Sequence, residues 1–130
     1  MRRRKLILFA LLATTLTIGP AMAASEAAFS QKEFAAAQQA GKPILVHITA
    51  SWCPTCTAQK PILDRLAADP AFKDLVIFAI DFDAQKDAVR ALGARMQSTL
   101  VAFHGSVERG RSVGDTNADS IRALLEKTKS

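Results

Sequence analysis

Ser51-Trp52-Cys53-Pro54-Thr55-Cys56 holds both cysteines of the 130-residue chain, two residues apart and directly behind its one tryptophan. What flanks the pair decides how it reads. Upstream, Ile44-Leu45-Val46-His47-Ile48-Thr49 is a β-branched apolar run of strand length, and its continuity implies burial on both faces. Downstream, Pro54 suits the first turn of a helix, where its missing N–H removes no hydrogen bond. Cys53 then falls at the N-cap of a helix running to about Ala68. Pro61 lies inside that helix and predicts a kink.

Further out, Ser30-Gln31-Lys32-Glu33 is a capping box, so the alanine-rich segment to Ala40 reads as a helix that Gly41 ends. Asp69-Pro70 stops the helix behind the cysteines. Leu75 to Ile80 forms a second buried strand, and Asp83 caps a helix that ends near Gly93. Thr99 to Phe103 and Val107 to Ser112 flank His104-Gly105 as an antiparallel hairpin, and Ile121, Leu124 and Leu125 mark a closing amphipathic helix. The order α-β-α-β-α-β-β-α, without repeat, linker or low-complexity tract, predicts one α/β domain. Its architecture is a three-layer α/β/α sandwich around a mixed, mostly four-stranded sheet. The domain fills residues 24–130, with its first element near Phe29.

A hydrophobic fraction of 49% with 22% charged residues describes a globular chain and excludes a disordered one. The net charge of +5 hints at nucleic acid until its location is read. Arg2, Arg3, Arg4 and Lys5 precede an apolar run from Leu6 to Ile18, then Gly19-Pro20 and Ala21-Met22-Ala23. This is the layout of a secretory signal peptide over residues 1–23, cleaved after Ala23. The run is short of the ~20 residues a membrane-spanning helix needs. Without those four cations the domain is nearly neutral, so no nucleic-acid partner follows from charge. Export implies an oxidising compartment, here a periplasmic location, in which neighbouring cysteines can pair.

The pair itself has three readings. As a staple it closes so short a loop that little chain entropy is removed. As a metal clip it lacks two further ligands, because neither His47 nor His104 follows it at zinc-finger spacing. As a reactive centre it is well placed. Free amides and the positive end of the helix dipole face the Cys53 sulfur, favour its thiolate and make it a nucleophile. Cys56, one turn further in, is within reach and more shielded, the position of a resolving thiol. Trp52 beside them serves as a core aromatic or as one wall of a docking surface for an extended peptide.

With the strand, the W-C-P-T-C segment, Pro61, the Thr99–Phe103 strand with its Gly105 turn, and Val113-Gly114 before the last helix, nearly the whole domain resembles thioredoxin. The resemblance implies a thiol-disulfide oxidoreductase that needs no cofactor beyond the Cys53–Cys56 disulfide. It acts on protein disulfides as a monomer, and exported members of this kind can be fed by a membrane thiol reductase. Pro54 and Thr55 would tune the potential, and Trp52, Gln97, Ser98 and Thr99 would bind substrate. Three positions depart from the family pattern. Ser98 stands where a cis-proline usually precedes the Thr99 position, so a trans loop is expected there. His47 stands where an aspartate is often buried beneath the second cysteine. Neutral, its ring could take the proton of Cys56; charged, it would favour thiolates. Ala79 replaces a lysine that often pairs with that aspartate. His104 and Lys60 read as solvated. A disulfide reductase, a dithiol oxidase and a thioredoxin-fold binding or metal-chaperone module all remain open.

Overall fold

The computed structural model describes residues 26–130, so the leader reading over residues 1–23 lies outside the described residues. Five strands form one sheet: β1 (Glu26–Ala28), β2 (Pro43–Thr49), β3 (Val76–Asp81), β4 (Thr99–His104) and β5 (Val107–Val113), in the order β1-β3-β2-β4-β5. β2 lies at the centre, parallel to β3 and antiparallel to β4, and the β4–β5 hairpin supplies one edge. Helices α1 (Gln31–Gln39), α2 (Pro54–Ala68), α3 (Lys86–Ala91) and α4 (Ala118–Glu126) cover the two faces, as the α/β/α reading expects.

The additional strand is β1, parallel to β3 through Glu26–Ile77, Ala27–Phe78 and Ala28–Ala79. Glu-Ala-Ala carries no β-branched or aromatic residue, so no local signal marks it. The domain accordingly begins before Phe29, whose N–H still donates to the Ala79 carbonyl. At the opposite edge, Glu108, Arg109 and Arg111 place charges along β5, a device that discourages edge-to-edge pairing.

Strand alternation sorts the core. From β2, Ile44, Val46 and Ile48 join Phe29, Phe34, Phe78 and Phe103 beneath α1 and α3. Leu45 points the other way, with Leu63, Ile77, Leu100, Ile121 and Leu125 beneath α2 and α4. His47 shares that second face by the same period of two. Gly105 turns the hairpin at φ +57°, where a Cβ would come within 3.3 Å of the Gln38 carbonyl oxygen.

Capping follows the sequence at α1 and α2. The Ser30 hydroxyl accepts from the Glu33 amide, Cys53 is the N-cap of α2 with Pro54 in the first turn, and α2 continues through Pro61 to Ala68. Asp83 is a correction. The N-cap of α3 is Gln85, two residues later and without a side-chain cap bond. The carboxylate that organises this turn is Asp81, which accepts from the amides of Asp83 and Ala84. His104 is a second correction: it ends β4 half-buried, with Nδ1 2.8 Å from the Thr128 carbonyl oxygen.

Candidate active site

β2 delivers the chain to Ala50, a short turn follows, and α2 starts at Pro54. Cys53 therefore sits where the first orphan amides of a helix converge. It is joined to Cys56 as a disulfide, with Cα atoms 5.3 Å apart. The Cys56 amide donates to Cys53 Sγ at 3.1 Å. Both cysteines are 2% exposed, packed with Ala50 and against Phe82. Residue burial therefore does not separate nucleophile from resolving thiol; the N-cap does. Thr55 is half-buried and Pro54 exposed in the first turn between them.

Trp52 is 57% exposed, more open than a core aromatic, and its indole N–H donates to the Asp83 carboxylate at 2.7 Å. Asp83 thus anchors the tryptophan beside the cysteines instead of capping a helix. On the other side of the pair, Cys56, His47, Glu26 and Lys60 line one cavity of about 410 Å³.

His47 is 1% exposed and held from both sides. Its Nδ1 lies 2.7 Å from a Glu26 carboxylate oxygen and its Nε2 lies 3.1 Å from Gln59 Oε1. The Gln59 amide donates to the carbonyls of Ser98 and Asp115 at 3.1 and 2.9 Å. Those carbonyls only accept, so the NH₂ end of Gln59 faces them and its oxygen faces the ring. The ring Nε2 therefore donates to that oxygen, while Nδ1 faces the Glu26 carboxyl group. Burial pushes the Glu26 carboxyl up, but the His47 hydrogen bond and charge, with Lys60, outweigh it and hold the group below its ordinary 4.5. A carboxylate so held is a poor acceptor for a thiol proton near ~8.5.

The loop before β4 has no cis peptide, in line with the trans expectation for Ser98. Its backbone is nonetheless unusual. Ser98 has φ +57°, a left-handed conformation that proline cannot adopt, so this loop is not the family loop with a ring removed. Ser98 and Thr99 are buried and Gln97 half-buried, and the Thr99 hydroxyl donates to the Met96 carbonyl at 2.6 Å. Lys60 is exposed, as read, and bridges Asp64 at 3.2 Å and Glu26 at 3.7 Å. Among the described residues no cluster of three His, Cys, Asp or Glu side chains could hold a metal ion.

Glu26, Gln59 and Asp83 are the site residues that sequence reasoning missed or misassigned. Gln59 had a readable signal: it interrupts the buried row Cys56, Gln59, Leu63, Ala67 on α2. Glu26 had none.

A helix-capping cysteine disulfide-bonded one turn into a helix that follows the central strand of a mixed sheet defines a thiol-disulfide oxidoreductase. The thioredoxin family model matches residues 25–127, and the chain belongs to that family. A thioredoxin of Chlamydia muridarum is 34% identical over 98 residues, covering 75% of this chain and 93% of that protein. Thioredoxin Asp f 29 of Aspergillus fumigatus is 28% identical over 89 residues, 68% of this chain and 80% of its own. Among solved structures, Trxlp from Edwardsiella tarda superposes with a TM-score of 0.76 at 38% identity, covering 78% of this chain and 98% of that one.

Proposed function

We propose that the protein reduces disulfides of exported proteins in the periplasm, with Cys53 as nucleophile and Cys56 as resolving thiol. The observation that carries this reading is the Cys56 amide aimed at Cys53 Sγ at the mouth of α2, a donor that favours the thiolate once the disulfide opens. In the reduced protein the Cys53 thiolate attacks one sulfur of a substrate disulfide. That bond breaks, the mixed disulfide forms, and the first substrate thiolate leaves and takes up a proton. Cys56 then gives up its proton and attacks Cys53 Sγ, releasing the second substrate thiolate to be protonated in turn. The substrate gains two electrons and the Cys53–Cys56 disulfide returns.

Exchange between sulfurs needs no cofactor and no second subunit. A dithiol donor must reset the pair, and a membrane thiol reductase fits an exported protein. The leader-like sequence Arg2 to Ala23 supports that location. Trp52, held by Asp83, and the loop Gln97-Ser98-Thr99 are assigned to substrate docking. Insulin reduction by the purified protein, beside a Cys53→Ser variant, tests the reading, and an inert wild type would sink it. Equilibration with glutathione sets the direction. A potential near about −270 mV supports the reductase, and one near about −120 mV supports a dithiol oxidase instead.

A further inference from the structure

His47, Gln59 and Ser98 come from a strand, a helix and a loop, and two of them are positions where the chain departs from the thioredoxin pattern. The departures are physically joined. Gln59 is fully buried and spends both amide hydrogens on the Ser98 and Asp115 carbonyls and its oxygen on His47 Nε2. Because the Ser98 and Asp115 carbonyls can only accept, the Gln59 amide has one allowed orientation, and its oxygen is left for the His47 ring. Its far end grips a residue that needs gripping: Ser98 is left-handed at φ +57°, a conformation disfavoured for any side chain with a Cβ. The Ser98 carbonyl also accepts from the Gly114 amide at 3.0 Å, so removing Gln59 would loosen this loop without freeing it.

We propose that Gln59, oriented by His47, is the positioning residue of the docking loop. It holds the backbone from Met96 to Thr99 in the conformation that receives a polypeptide, and thereby sets the preference for protein over small disulfides. The inference rests on the docking role assigned to that loop above. An apolar side chain at position 59 would leave His47 Nε2 and the Asp115 carbonyl without their partner while the cysteines and the N-cap of α2 stay in place.

The test compares the full-length protein with Gln59→Leu on two substrates: insulin, which must dock along the backbone, and the small aromatic disulfide 5,5′-dithiobis(2-nitrobenzoate), which need not. The loss of one buried hydrogen-bond set should lower kcat/KM for insulin about tenfold more than for the small disulfide, mainly through KM. The equilibrium with glutathione should move less than about twofold, because the amide at Cys53 is untouched. A purely structural role predicts equal losses on both substrates, and that result, or an unchanged ratio, overturns the proposal. If Gln59→Leu does not fold, Gln59→Glu keeps the shape but turns an oxygen toward both carbonyls, and the same ratio decides. A wild type inert on both substrates removes the proposed function as well; an active wild type with an unchanged ratio removes this inference alone.

Discussion

The two faces of the sheet, both packed with apolar side chains, part company at the cysteine end, although the same strand feeds both. Beneath α1 and α3 the contacts are apolar: Phe34 lies 5.3 Å from Phe29, 6.0 Å from Phe78 and 5.4 Å from Phe103, centroid to centroid, tilted or edge-on. Beneath α2 and α4 the apolar cluster gives way, at the cysteine end, to His47 and Gln59 with partners from β1 and the loop before β4. An apolar face gains from burial alone. A buried polar string gains orientation and returns most of it in desolvation. Both faces hold the fold through their apolar clusters, and the polar string marks the cysteine end of the second as the place of the chemistry.

The largest effects should separate them cleanly. Cys53→Ser should abolish insulin reduction, by on the order of a thousandfold or more, since Cys56, the thiol that remains, lacks the N-cap position that favours a thiolate. Phe34→Ala should do the reverse. Truncating a ring buried among three others should cost about 3–5 kcal/mol in denaturant unfolding, while turnover per folded molecule keeps its wild-type value. A Phe34→Ala protein that stayed folded but lost activity would show that the faces are not independent.

Glu26→Gln should come next. The amide oxygen of the variant can still accept from His47, so the loss is the difference between a charged and a neutral hydrogen bond, about 1 kcal/mol at neutral pH. The acid response gives the sign. Because Glu26 is held below 4.5 in the fold, the unfolded chain binds its proton more readily. The stability it adds is complete above pH 4.5 and is lost as pH falls through the folded value. Wild type and Glu26→Gln should therefore converge in acid when urea unfolding is followed downward from pH 7. Glu108, lowered chiefly by its Arg111 hydrogen bond, titrates in the same direction in both proteins, and that pair is exposed enough for solvent to screen.

What could be read in advance was what local chemistry controls. The Cys53 cap, the first turn at Pro54, the serine half of the capping box at Ser30 and the hairpin at Gly105 each depend on residues within four positions of one another, and each stands where the sequence put it. β1 was missed because three residues of no strand preference pair only when β3 is already in place. Asp83 carried the composition of a cap, but Asp81 took the turn amides and left Asp83 to a tryptophan 31 residues away. Likewise His47 was legible as a buried histidine near Cys56, while its partners are a carboxylate 21 residues upstream and an amide 12 downstream. Contacts at that separation are set by topology, and no window along the chain contains them.

The smallest effect should fall on the tryptophan. Asp83 holds the indole N–H at 2.7 Å, but the ring is 57% exposed, so water replaces most of what the carboxylate gives. Asp83→Ala should therefore change unfolding free energy by only about 0.5 kcal/mol. The informative signal is optical. Trp52 is the only tryptophan, so its fluorescence reports this contact alone. Freed from Asp83, the indole should become more accessible to acrylamide and its anisotropy should fall, with no matching change in the thermal midpoint. If stability dropped as far as in Phe34→Ala, the indole would belong to the packed core after all, and the boundary between that core and the cysteine end would have to be redrawn at Trp52.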